Sequence, residues 1–222
     1  MPRLNRGLAD NHYYHLLNRG NGRQQVFQDD EDYHNFLDLL HDAKARYPIQ
    51  VYSYCLLPNH FHLLVKPING EDLSRWMQWL MTSHVRRHHR TYGTSGHVWQ
   101  GRYKSFLVQE GDYLLTLLRY IEGNPVRAGL VDSCTQWRWS SCRERLNGQK
   151  GLVAPPPVDL PENWPRFVDR PLTDREREHF QRCVDRQAPF GKKDWQMDVC
   201  RRYGLESTLR KRGRPRKEMG IK

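Results

Sequence analysis

Cysteine is sparse and scattered in this 222-residue chain. The five cysteines, Cys55, Cys134, Cys142, Cys183 and Cys200, are odd in number and form no CxxC pair. That argues against a disulfide framework and against a thiolate zinc site, and it fits a reducing compartment. No apolar run is long enough to span a bilayer. The opening residues, MPRLNRGLADNHYYHLL, lack the apolar core of a secretory signal, so the expectation is an intracellular protein. No GxxxxGK[ST] segment is present, so nothing points to a P-loop nucleotide enzyme. Acidic residues are also short in supply. Asp and Glu total 25 against 36 Lys and Arg, a formal net charge of +11. Such an excess points to a polyanion, foremost nucleic acid, with an anionic membrane surface as the alternative. The excess is concentrated at one end: residues 200–222 hold nine Lys and Arg against Glu206 and Glu218, a net +7.

What is present reads as alternating strands and helices. His12–Asn18 (HYYHLLN) is an aromatic and apolar strand that ends at the Gly-rich turn RGNGR. Asp29–Arg46 opens with acids and repeats Phe36, Leu37, Leu39 and Leu40 as a helix face does. Ile49–Leu57 and His60–Lys66 read as strands joined by a turn at Pro58-Asn59. Asp72–Tyr92 reads as a helix with a basic end, which suits the dipole. A fourth strand, Tyr103–Gln109, and a helix, Asp112–Glu122, broken by Gly123 and Pro125, follow. The order β-α-β-β-α-β-α predicts an α+β fold, a ferredoxin-like antiparallel sheet with helices. The expected domain is 1–146. Residues 147–170, rich in Pro and Gly, read as a linker. Residues 171–209 read as a small helical region, with helices at Thr173–Gln187 (a capping box at Thr173 and Glu176) and near Asp194–Arg202. Residues 210–222 read as a basic, disordered tail.

The stretch LLPNHFHLLV, Leu56–Val65, places two imidazoles in an apolar run. Strand alternation puts His60, His62 and Leu64 on one face, and Phe61, Leu63 and Val65 on the other. Two such rings can converge on one metal ion. The plain alternative is a hydrogen-bonded, inert pair at a sheet edge. Further on, in RYIEGNPVRAGL, Tyr120 and Asn124 stand at i and i+4 of one helix face. Tyr120 could act as nucleophile and Asn124 as a carbonyl ligand. Equally, Tyr120 could be an ordinary helix tyrosine and Asn124 a cap before Pro125. Tyr113, seven residues earlier, is a weaker competing nucleophile because it lacks the paired amide.

His60-Phe61-His62 resembles the HUH signature (His, hydrophobic, His) of single-tyrosine endonucleases. Asn18–Tyr33, Leu56–Val65, Trp99–Phe106 and Tyr120–Val131 occur in the order of the Y1 transposases of the IS200/IS605 type, and the chain is most similar to the REP-associated tyrosine transposases. Pro189–Trp195 and Leu205–Lys217 resemble the tail of one branch of that group. The resemblance implies a divalent cation, Mg²⁺ or Mn²⁺, held by His60, His62 and Asn124. It implies attack by Tyr120 on single-stranded DNA at a hairpin, leaving a 5′-phosphotyrosine link and a free 3′-OH. It also implies a bacterial cytoplasmic, nucleoid-associated setting. A domesticated nucleic-acid binder that keeps the fold without catalysis is the alternative, as is metal-dependent hydrolysis without a covalent intermediate.

For DNA contact the sequence offers Arg19 and Arg23 around a Gly-Asn-Gly turn, and Arg102 and Lys104 around Tyr103, which suggests phosphate contacts beside a stacking ring. Arg212-Gly213-Arg214-Pro215 resembles an AT-hook core, which adds duplex DNA as a second partner. The bland reading of both is a solvated basic surface. Monomer and homodimer both remain open.

Overall fold

The computed structural model describes residues 7–148 and 151–210. Its frame is β1 (Tyr13–Arg19), α1 (Asp30–Arg46), β2 (Ile49–Leu57), β3 (His60–Pro67), α2 (Gly70–Tyr92) and β4 (Lys104–Val108), followed by α3 (Asp112–Glu122). The strands form one antiparallel sheet in the order β2-β3-β1-β4. This is the ferredoxin-like arrangement expected from the element order, and β2 and α3 have the bounds the sequence pattern suggests.

Local chemistry explains the elements. Asp29 caps α1 by accepting from the Asp32 amide at 3.1 Å, with acids in its first turn and Lys44 and Arg46 in its last. Both charge placements favour the helix dipole. Helix α2 starts two residues earlier than its apolar periodicity suggests. The reason is long-range: Asp10 Oδ1 accepts from the Gly70 amide at 2.8 Å, a cap no local pattern reveals.

The sheet is covered on both faces. Tyr14, Leu16, Phe61, Leu63 and Val65 pack with α1 and α2. Tyr13, Leu64, Phe106 and Val108 pack with Leu114, Leu117, Leu118 and Ile121 of α3. Alternation along β3 therefore sorts its residues as the sequence predicts.

The remaining helices are α4 (Asn124–Arg127), α5 (Ser141–Leu146), α6 (Trp164–Asp169), α7 (Asp174–Arg186), α8 (Lys193–Tyr203) and α9 (Glu206–Leu209). The capping box that opens α7 is present, with Thr173 and Glu176 in reciprocal bonds. The stretch 147–170, expected to be a linker, is not free chain where it is described. It carries α6 and buries Leu152, Trp164 and Val168. Residues 171–209 pack on the sheet domain as well. Phe190 exchanges backbone bonds with β4 (its amide to Leu107 O at 2.7 Å, Gln109 amide to its carbonyl at 2.9 Å).

Glu122, at the end of α3, is 0% exposed. It accepts from Ser53 Oγ at 3.2 Å, Ser141 Oγ at 2.6 Å, Arg145 Nε at 3.0 Å and Trp164 Nε1 at 2.7 Å. One carboxylate thus fastens α3 to β2, α5 and α6. Removing one partner of such a pair leaves a buried charge uncompensated. Glu122→Ala is expected to lower unfolding free energy by about 3–5 kcal/mol, read by urea denaturation.

Candidate active site

The site sits on the α3 face of the sheet, at the end where β1 finishes and β3 begins. His62 lies opposite Leu17 and Cys55 in the register, and His60 opposite Arg19 and Leu57. The two imidazole centres are 5.2 Å apart, and their planes are nearly perpendicular. The Tyr120 ring stands edge-on to His62, with centres 5.6 Å apart. The Tyr120 ring therefore stands beside His62, and His62 beside His60. Tyr113 does not join them. Its ring packs against Phe190 and His179.

The protein fixes one nitrogen on each ring. His60 Nδ1 meets Asn59 Oδ1 at 2.6 Å, and Asn59 Nδ2 donates to Arg23 O at 3.1 Å. Because that amide oxygen only accepts, the His60 proton sits on Nδ1 and the Nε2 lone pair is left. His62 Nδ1 meets His15 Nε2 at 2.9 Å, with the rings stacked 5.1 Å apart. Either ring can be the donor; a metal at His62 Nε2 would require the proton on Nδ1, with His62 donating and His15 accepting. His15 is 0% exposed, and its Nδ1 has no partner among the described residues. An apolar side chain would avoid that orphan at no loss of packing, so the bond to His62 accounts for the imidazole.

Both rings of the pair are neutral. Burial, then Arg19, lowers His60 to a pKa of about 4. Burial, then the other cations and imidazoles around it, puts His62 well below the ordinary value. Neutral imidazoles with one nitrogen tied to protein are the form that binds a divalent cation. Asn124 begins α4, is buried, and donates Nδ2 to Ile121 O at 3.4 Å, which leaves Oδ1 as an acceptor. Its described bond is local and does not reach the histidines. No group of three His, Cys, Asp or Glu that could hold a metal occurs among the described residues.

The Tyr120 hydroxyl makes no hydrogen bond within the described residues. Burial raises its pKa, and Arg127, followed by Arg19, acts in the opposite direction. Phe180 of α7 lies against the ring, with centres 3.8 Å apart.

The cations surround the same end of the sheet. Arg19 is exposed at the end of β1, opposite His60. Lys104, half-buried, opposes Leu17, which opposes His62 on its other side. Directly opposed residues point to one face, so Arg19 and Lys104 share the histidine face. Arg23, in the 3-10 turn Asn21–Arg23, and Arg102, before β4, are exposed at that end. Tyr103 does not serve as the stacking ring the sequence suggested. It is 7% exposed and belongs to the core on the opposite face, because its place next to β4 turns it inward. Arg212 and Arg214 lie outside the described residues.

Three contributors were not evident in the sequence. His15 and Phe180 come from segments 47 and 118 residues from His62, so only the fold brings them near. Asn59 occupies the turn before β3, and its side-chain oxygen, next to His60 in sequence, is the signal for its role.

Residues 9–124, which include His60, His62, Tyr120 and Asn124, match the family model described as "Transposase IS200 like". A Haemophilus influenzae protein bearing the name REP-associated tyrosine transposase is 30% identical over 129 residues, covering 53% of this chain and 68% of that protein. The solved structure of a REP-associated tyrosine transposase bound to a REP hairpin aligns with a TM-score of 0.53 at 18% identity, over 78% of this chain and 98% of that one. That likeness concerns the fold: the four-stranded sheet, its flanking helices and the helical C-terminal region. The chain belongs to the IS200-like transposase family, among its REP-associated tyrosine transposases.

Proposed function

We propose that the chain cleaves and rejoins single-stranded DNA at hairpin elements through a covalent bond to Tyr120. The observation that carries this reading is the adjacency of Tyr120 to the His60-His62 pair, with the Tyr120 and His62 ring centres 5.6 Å apart, at the end of the sheet where Arg19, Arg23 and Arg102 are exposed. In the reaction the Tyr120 oxygen bonds to phosphorus and the P–O3′ bond breaks. The phenolic proton passes to solvent, the 3′ oxygen takes one up, and the protein is left on the 5′ phosphate. The new phosphodiester keeps the energy of the old one, so rejoining requires no ATP.

His60, His62 and Asn124 would hold the cation, which when bound polarises the phosphate oxygens. Two imidazole nitrogens suit Mn²⁺ better than Mg²⁺, which prefers oxygen donors. Arg19, Arg23, Arg102 and Lys104 would hold the strand by its phosphates. A hairpin partner is supported by the REP hairpin in the aligned structure. The basic tail, with Arg212 and Arg214, would add salt-dependent affinity, including for duplex DNA.

The test uses a labelled pool of single-stranded hairpins with randomised stems, loops and flanks, incubated with protein and Mn²⁺. A band that survives denaturing gel electrophoresis and vanishes with protease supports the reading. Retention of the pool without cleavage would support a non-catalytic binder instead. His15 gives a further prediction. His15→Phe keeps the packing and removes the bond to His62, and Mn²⁺ affinity by calorimetry should fall about 10–100-fold.

A further inference from the structure

Arg127, which acts on the Tyr120 phenol, has been given no role in the reaction. It ends α4, three residues after Asn124. Its guanidinium carbon lies 4.4 Å from the centre of the Tyr120 ring, and its Nη2 donates to the Tyr120 carbonyl. The side chain doubles back over Gly123. A Cβ there would stand 2.8 Å from Arg127 Nη1, so the bare glycine makes room for the guanidinium.

Its surroundings differ from those of the other arginines nearby. Arg119 and Arg145 are each paired with a carboxylate, Glu176 and Glu122. Arg127 has no carboxylate partner among the described residues. As a residue it is exposed while Tyr120 is half-buried, although the guanidinium itself, lying on the ring, is partly withdrawn from water. A planar guanidinium has five N–H donors. It can hold a helix carbonyl and lie over a ring with some donors left for phosphate oxygens.

We infer that Arg127 is a catalytic cation of this site: it clamps the Tyr120 ring and presents its outer N–H groups to the phosphate that the tyrosine attacks. The inference rests on the proposed tyrosine chemistry and adds a second source of positive charge to it. During attack, charge grows on the phosphate oxygens and must be met by groups already in place. The same cation offsets the effect of burial on the phenol, ahead of Arg19. Cys55 and Arg19 also act on that hydroxyl, from β2 and β1.

The experiment compares wild type, Arg127→Ala, Arg127→Lys and Tyr120→Phe with the randomised hairpin pool and Mn²⁺ under single-turnover conditions. Arg127→Ala should form adduct on the order of 100-fold more slowly. Circular dichroism should show it folded, and its retention of the pool in chelator should fall far less than its rate. Guanidinium added to Arg127→Ala should restore part of the rate, and Arg127→Lys should fall between. A purely structural arginine would not be rescued by a free ion. A wild-type rate in Arg127→Ala, or a loss that neither guanidinium nor lysine restores, overturns the inference while the tyrosine reading stands. Adduct that persists in Tyr120→Phe, or none in wild type, overturns the tyrosine reading and the inference with it.

Discussion

Tyr120→Phe is expected to bind hairpin DNA as wild type does and to form no covalent adduct. Cleavage should fall to about one ten-thousandth or below, the scale seen when a nucleophile is removed from a concerted site. The variant is well suited to the question. The ring packs against Phe180 and His62, and phenylalanine keeps both contacts. The deleted hydroxyl has no described hydrogen bond, so no partner is stranded and stability should hold. A loss of activity can then be assigned to chemistry, with circular dichroism and chelator-stage DNA retention as controls. Cleavage at an undiminished rate would mean that another nucleophile, Tyr113 or water, does the work. Tyr113 is poorly placed for it, because its neighbours are Phe190 and His179.

His62→Ala should lower the cleavage rate by about 1000-fold, which corresponds to several kcal/mol of transition-state stabilisation. Two effects add here. One donor is lost from the proposed cation set, and His15 loses the only described hydrogen bond of its ring. The second effect makes His62 more sensitive than His60, whose tie to Asn59 lies at the rim. A Mn²⁺ titration separates the contributions: excess metal should recover part of the rate in either variant, and less in His62→Ala. A chelator applied to wild type should reproduce the loss while leaving hairpin retention intact.

The parts of this account that were legible in the sequence are those with a local period. The alternation in Leu56–Val65 put both histidines on one face, and the register confirms it, with Phe61, Leu63 and Val65 in the opposite core. The acids and capping residues marked α1 and α7. Tyr120 and Asn124 were visible as an i, i+4 pair, although the helix changes course between them at Gly123, where ψ is 1°. What was hidden depends on distant chain. His15 reaches His62 only through the pairing of β1 with β3. Phe180 reaches Tyr120 because residues 171–209 fold back on the sheet. Composition marked 147–170 as loose chain, but Trp164 donates to the buried Glu122 carboxylate, and Leu152 and Val168 are buried with it. Tyr103 misled for the converse reason: its basic neighbours suggested a DNA-facing ring, while the sheet edge turns it into the core.

The +11 charge bears on how such a site finds its substrate. Arg19 and Lys104 share the histidine face, and Arg23 and Arg102 ring the same end. A strand held there by its phosphates would cross the histidine pair. Affinity should weaken steeply with salt, whereas the rate of the bound complex should not, if the proposed chemistry occurs at the buried His62 and the half-buried Tyr120.

The most direct measurement is to map the covalent bond. Adduct formed by wild-type protein with the hairpin pool and Mn²⁺ would be digested with nuclease and trypsin, and the peptides sequenced by mass spectrometry. Trypsin should release the peptide that follows Arg119 and contains Tyr120, and the residual nucleotide should sit on Tyr120 through a 5′ phosphate. A nucleotide on any other residue, or a 3′ phosphate link, would contradict the account.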